Sequence, residues 1–266
     1  YAHVGKEQLF EIRHCLECGL VYVSPQPTSE GLAAFYETYY GDTEAPRTFG
    51  DFEAHIKRII RARCPAGGRL LDVGCGLGTF LKYMSSDKWE LYGVDLSETA
   101  LAEARRILPE ATLTASAFED DFYPQIQFDC ITLIAVLEHA KDPRRTLSNI
   151  INKLRPGGVL IVQVPYILAF FRLSRRFPFL PRVTFETPRH LFDFSPATLQ
   201  RLMAECGLEK LVVDVARPYC GQNNWVRMAI WMVKIPGIVL RFLSGGRYIY
   251  PFAGAIVVHG AKPEKR

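Results

Sequence analysis

Residues 70–80 read LLDVGCGLGTF: a run of Leu70, Leu71, Asp72 and Val73, a turn carrying Gly74, Gly76 and Gly78, and the first residues of an amphipathic stretch. With Phe80, Leu81 and Met84 spaced for one helical face, the stretch reads as buried strand, glycine turn and helix. Glycines permit positive φ and let main-chain N–H groups approach a ligand that side chains would block, so the turn reads as a nucleotide cradle. A dinucleotide fingerprint, G-x-G-x-x-G, would need its last glycine at Thr79, and here it falls at Gly78. The flanking acids sharpen the reading. Asp72 stands where a carboxylate would repel phosphate and favour a cation. Asp95 ends the next apolar run, placed to accept both hydroxyls of a ribose. The pattern suits an adenosine carrying a positive group.

Outward from this turn, short apolar runs alternate with helical patterns. Ile56, Ile59 and Ile60 mark a helix within 51–64, ended by Pro65 and Gly67-Gly68. LYGVDL (91–96) is a second strand, and Ser97 caps a helix bearing Leu101, Ala104 and Leu108. ATLTAS (111–116) is a weaker third strand and FDCITLIAV (128–136) a fourth. Asp142-Pro143 opens a helix with Leu147, Ile150, Ile151 and Leu154 inward. The turn RPGG then leads to a fifth strand, VLIVQV. Near-continuous apolar strands separated by helices imply a parallel sheet covered on both faces, with ligands at the carboxyl ends of the strands. Residues 196–206 read as a further helix, and 208–215 and 254–261 as two late strands forming a hairpin at the sheet edge. The expected fold is therefore α/β: a seven-stranded doubly wound Rossmann-like sheet, mostly parallel with an antiparallel edge hairpin, plus small N-terminal and inserted cap segments.

Four segments in order, LLDVGCGLGTF, LYGVDLS, FDCITLIAVLEHAKDP and LRPGGVLIVQVP, resemble the successive motifs of class I S-adenosylmethionine-dependent methyltransferases over about residues 50–165. The resemblance implies S-adenosyl-L-methionine as methyl donor. It implies that main chain at Gly74, Cys75 and Gly76, with the turn closed by Gly78, lies against the methionine part, with Asp72 near its amino end. Asp95 would hold the ribose, Leu96 would pack on adenine, and Ala117 with Phe118 would frame the base. Ile134 and Ala135 would line the methionine side. The family's usual acid after the third strand has no clear counterpart in ASAFEDD, where Glu119 comes late. Cys75 reads as a small space-filler.

Methyl transfer from a sulfonium requires an aligned acceptor and, for a hydroxyl or carbon acid, a proton acceptor. Glu138 and His139 follow the fourth strand at the carboxyl edge, and His139 has the ordinary pKa of a base near neutrality. A capping or hydrogen-bonding role is the other reading of this pair. His190, in ETPRHLFDFS, is the rival for substrate contact, against a fold-locking hydrogen bond, and Arg189 beside it suits an anion.

The rest of the chain sets the surroundings. The expected domains are 1–48, an N-terminal cap, and 49–266, a methyltransferase domain whose inserts 166–195 and 217–249 form a lid and substrate region. In the cap, Cys15 and Cys18 form a C-x-x-C-G knuckle similar to the second half of a small zinc-ribbon. That resemblance implies a first cysteine pair upstream of Tyr1 and a chain that was once longer. A structural zinc needs four ligands, so no metal site is assigned, with His3 and His14 as makeshift ligands at most. The methyltransferase resemblance implies that 32–42 folds over the cofactor pocket with Tyr36, Tyr39 or Tyr40 near the substrate or cofactor; an ordinary packed helix end is the other reading.

Arg172, Arg175, Arg176 and Arg182 interleave with aromatics in the first insert. That pattern fits a lid with a solvated basic face, a site for an apolar substrate with an anionic end, or peripheral membrane contact through 166–182. The second insert, with Trp225, Trp231 and Met232, raises the same choice over 225–243. Both exposed surfaces also fit a homodimer interface. A net charge of +4 predicts no nucleic-acid partner, and an odd total of seven scattered cysteines points to a reducing, cytoplasmic setting. The expected function is methyl transfer to a small organic O, N or C acceptor, sugar-linked or quinone-like. The rivals are a non-catalytic or membrane-associated binding module and a nicotinamide-dependent oxidoreductase.

Overall fold

The computed structural model describes residues 10–28, 31, 51–118, 120–166, 189–215 and 254–264. The glycine turn joins β3 (Gly68–Val73) to α2 (Thr79–Met84), and β4 (Trp89–Asp95), β5 (Thr112–Ala115), β6 (Phe128–Ile134) and β7 (Leu154–Tyr166) follow. With β9 (Glu209–Val215) and β10 (Gly254–Ala261) they form one sheet in the order β5-β4-β3-β6-β7-β10-β9. β3 pairs in parallel with both β4 and β6, so the strand order reverses there. That reversal opens a crevice beyond the carboxyl ends of β3 and β6, the usual ligand position in such sheets. β10 runs antiparallel between β7 and β9, which leaves β9 at the edge. The expected late hairpin is present, with its last strand on the inner side.

Alternation along the strands separates two cores. Leu70, Cys130 and Ile161 face one side, packed with Ile56 and Ile60 of α1 (Asp51–Arg63), Leu81 of α2 and Leu101 of α3 (Glu98–Ile107). Leu71, Val73, Ile131 and Val162 face the other, against Leu147 and Ile150 of α4 (Pro143–Asn152) and Leu199 and Met203 of α5 (Pro196–Glu205). Local chemistry explains the helix starts. Ser97 Oγ accepts from Ala100 N at 3.2 Å, Asp142 Oδ1 from Arg145 N at 3.0 Å and Ser195 Oγ from Thr198 N at 3.2 Å; Pro143 and Pro196 open their helices. Each such cap is worth about 1 kcal/mol. On α1, His55 Nε2 lies 3.2 Å from Asp214 Oδ2, tying that helix to the edge strand.

One feature departs from the expectation and one adds to it. RPGG is no turn before a strand: it lies inside β7, where the register against β6 jumps between Phe128↔Leu154 and Cys130↔Val159. The irregularity is held from outside, by Gly157 N donating to Lys262 O and Lys262 N donating to Gly158 O, both at 2.9 Å. Second, the cysteine knuckle lies between two strands, β1 (Glu11–His14) and β2 (Val21–Ser24), and β2 pairs with β8 (Phe192–Asp193) in a separate three-stranded sheet. Among the described residues no helix is long and apolar enough to cross a membrane. His3, Tyr36, Tyr39, Tyr40, Glu119, the four insert arginines, and the whole of 217–249 lie outside the described residues.

Candidate active site

Three glycines in the turn have three different reasons. All take positive φ: 72° at Gly74, 51° at Gly76 and 72° at Gly78. A methyl group on Gly78 would stand 3.0 Å from Ala104 Cβ and 3.2 Å from Leu108 Cδ1, so that glycine serves contact with α3. A methyl on Gly74 would stand 2.4 Å from Val136 Cγ2, so that glycine admits the loop after β6. Gly76 alone of the three faces open space: a methyl on it would meet no described atom within 4 Å. Cys75 turns its thiol inward, and a methyl on Gly93 would meet its Sγ at 2.8 Å. Burial drives that thiol well above its ordinary pKa, which fits a space-filler and no nucleophile.

The two acids flank this turn and are both buried. Asp95 Oδ2 accepts from Gly76 N at 2.8 Å and its Oδ1 from Ser97 N at 2.9 Å. One carboxylate thus clamps the glycine turn to the start of α3, and each oxygen keeps a second lone pair. Burial raises its pKa, and the two main-chain donors pull the other way. Asp72 Oδ1 accepts from Thr132 Oγ1 of β6 at 2.7 Å. Burial pushes the Asp72 carboxyl up to about 7, opposed by Thr132 and assisted by the charge of Asp95. Such a group holds an ordinary carboxylate charge poorly and is poised for a cation. Beside Asp95, Leu96 is 56% exposed, an apolar face left largely uncovered by the described residues. Ala117 and Phe118, just past β5, are half-buried near the same edge.

The carboxyl end of β6 carries the second half of the site. Ile134 is half-buried and Ala135 exposed, the latter at φ 56°, a left-handed conformation uncommon for a residue with a side chain. A 3-10 turn, Leu137–His139, follows. Glu138 is 1% exposed, and its main-chain O accepts from Leu191 N at 2.8 Å. His139 Nδ1 lies 2.7 Å from the Arg189 carbonyl oxygen, and its ring centroid 5.0 Å from that of His190. Burial, with the Arg189 cation adding to it, pushes His190 down to about 4, so its imidazole is neutral near pH 7.

The structure therefore brings Glu138, His139 and His190 together, although His190 comes from a distant segment. Sequence reasoning missed Thr132, whose hydroxyl in the otherwise apolar run FDCITLI was the available signal. It also missed the Arg189 carbonyl, for which a main-chain atom leaves no signal. Among the described residues, Cys15 and Cys18 carry free thiols in a turn closed by Gly19 N donating to Cys15 O at 2.9 Å.

Comparison with known proteins adds to this geometry. The profile of a family described as a methyltransferase domain matches residues 47–213. The chain is 32% identical over 165 residues to the ubiquinone biosynthesis O-methyltransferase of Thiobacillus denitrificans, covering 57% of this chain and 69% of that one. It is 31% identical over 112 residues to the dTDP-3-amino-3,4,6-trideoxy-alpha-D-glucopyranose N,N-dimethyltransferase of Streptomyces venezuelae, covering 41% and 47%. The chain thus spans between about half and two thirds of these relatives' lengths. Its fold is similar to that of Haemonchus contortus phosphoethanolamine N-methyltransferase 2 in complex with S-adenosyl-L-methionine. That likeness has a TM-score of 0.56 at 20% identity, over 91% of this chain and 59% of that one.

Proposed function

Since the chain belongs to the methyltransferase domain family, as an S-adenosylmethionine-dependent enzyme, we propose that it methylates a hydroxyl oxygen of a small sugar-linked or quinone-like acceptor in the crevice between β3 and β6. One observation carries the reading. The contact of Val136 with Gly74 joins the donor half of the crevice, Asp72, Gly76 and Asp95, to the Glu138–His139–His190 cluster, whose first member lies two residues further along the chain.

The residues fit the donor. Gly76 offers main chain with clear space beside it, Leu96 an uncovered apolar face for adenine, and Asp95 spare lone pairs for a ribose. When bound, S-adenosylmethionine supplies an electrophilic methyl group on sulfur. Asp72 binds its ammonium group, a cation that offsets the cost of ionising a buried acid. Ala117 and Phe118 frame the base, and Ile134 and Ala135 line the methionine chain.

On the opposite side of the crevice Glu138, His139 and His190 position the acceptor and manage the proton that leaves its hydroxyl. The relatives named for O-methyl and N,N-dimethyl transfer bracket the acceptor chemistry. Oxygen is favoured because an alcohol, unlike a neutral amine, needs a group that manages its proton. Cap segments 1–48, 166–195 and 217–249 are assigned to acceptor binding, and a cytoplasmic setting fits the free thiols.

The reading is tested by titrating the chain with S-adenosylmethionine and with its demethylated product. Transfer of labelled methyl is then followed into hydroxyl-bearing sugar nucleotides and quinols, against amino-sugar nucleotides. Saturable donor binding and label in an oxygen acceptor are expected. Label in nitrogen alone would overturn the oxygen assignment, and no label in any acceptor from cell extracts would overturn the catalytic one.

A further inference from the structure

Outside the donor crevice, one group of side chains has a chemistry that proton transfer alone does not require. One ligand-competent atom from each of Glu138, His139 and His190 lies within 4.8 Å of the other two. A carboxylate with two imidazoles, leaving further positions open, is the donor set of mononuclear catalytic metal sites rather than structural ones.

The orientation of His139 agrees with this. A carbonyl oxygen only accepts, so the 2.7 Å contact with Arg189 O puts the ring proton on Nδ1 and leaves the Nε2 lone pair directed elsewhere. That Nε2 lies 3.9 Å from Glu138 Oε1, a separation two ligands of one ion can share. A main-chain carbonyl fixing the tautomer in this way is the usual outer partner of a metal-binding imidazole. The two halves of the cluster are also held before any ion arrives. Leu191 N donates to Glu138 O at 2.8 Å, and β8 begins at the next residue. The exposure of Ala135 at the end of β6 leaves this edge approachable.

We propose that Glu138, His139 and His190 form a binding site for one divalent transition-metal ion, zinc or a close analogue, whose open position takes the hydroxyl oxygen of the methyl acceptor. The role beside the acceptor rests on the methyl-transfer reading above; the ligand set does not. An alcohol held on such an ion loses its proton to solvent more readily. The oxygen lone pair then forms the new bond to the methyl carbon while the carbon–sulfur bond breaks, its electron pair staying on sulfur. The net change is alcohol and sulfonium to methyl ether, thioether and a proton.

The full chain, stripped with a chelator and carrying Cys15→Ser and Cys18→Ser so that the knuckle thiols contribute nothing, is titrated with cobalt(II) alone. The visible d–d absorption reports binding without reference to turnover. Saturation at one ion per chain is expected, weakened at least about tenfold by Glu138→Gln and by His190→Ala. Calorimetry with S-adenosylmethionine on the same samples reports folding, and where one variant loses that binding the other decides. Absence of the cobalt bands, or parent-level affinity in both variants, would overturn the metal site while leaving methyl transfer standing. Failure of the parent chain to bind S-adenosylmethionine would instead overturn the methyl-transfer reading.

Discussion

Thr132 Oγ1 donates to Asp72 Oδ1 across 2.7 Å, joining the strand that enters the glycine turn to the strand that leads to the histidine cluster. Because Asp72 is buried and pushed up to about 7, this hydrogen bond bears on a carboxyl whose charge changes near neutral pH.

The first prediction follows from that carboxyl. Its folded pKa lies above the unfolded value of 3.8, so the native state favours the neutral acid. Stability of the ligand-free chain should therefore fall as pH rises from about 4 and level off above about 7, by at most about 4 kcal/mol. On the proposed donor pose, S-adenosylmethionine reverses the preference, since its ammonium favours the ionised form. Binding at pH 6 should release a proton, and affinity should rise towards pH 7 and then level. Calorimetry in buffers of different ionisation enthalpy counts the protons. Asp72→Asn should stabilise the ligand-free chain at pH 8 and weaken donor binding, while Thr132→Val should move the release to higher pH.

Asp95→Ala frees both Gly76 N and Ser97 N and, on the proposed donor pose, removes the charged contact to the ribose. Donor affinity should fall by about 1–3 kcal/mol. Unchanged affinity in a titration would place the ribose elsewhere.

Gly74 and Gly76 should separate stability from binding. Gly74→Ala meets Val136 and should destabilise by about 1–3 kcal/mol, with partial recovery in Gly74→Ala/Val136→Ala. Gly76→Ala meets no described atom, so its folding cost is the backbone strain of about 1–2 kcal/mol, but its methyl enters the donor space. Urea unfolding set beside donor titration distinguishes them; equal binding by Gly76→Ala and the parent would remove that face from the donor site.

His139→Ala should lower turnover with an oxygen acceptor by about 100-fold or more while donor affinity stays at the parent value. Unaltered turnover with the true acceptor would remove His139 from proton management.

Much of this was legible in the sequence because it is local. The caps at Ser97, Asp142 and Ser195 act within three residues, and the strand-turn-helix at 70–80 needs only neighbours. The crevice followed from the alternation of strands and helices, since a parallel sheet leaves few places for a ligand. What was hidden is contact across long separations. Nothing near Gly74 announces Val136 as the reason for its missing side chain, and nothing near His139 announces a carbonyl fifty residues away. RPGG looked like a turn because Pro and Gly usually end a strand; hydrogen bonds exchanged with Lys262 keep it within one.

Leu191 is bonded on both sides: its N–H goes to Glu138 O, and its carbonyl receives Val23 N at 2.9 Å from the cysteine hairpin. A distortion at the thiols thus has a two-bond route to the imidazole side of the crevice, while Asp95 is held through β4 and the start of α3. On the proposed roles, the hairpin supports the acceptor side, while Gly74–Val136 and Thr132–Asp72 remain the links between the two halves. If those roles hold, a change in the hairpin would reach the acceptor side through Leu191 before it reached Asp95.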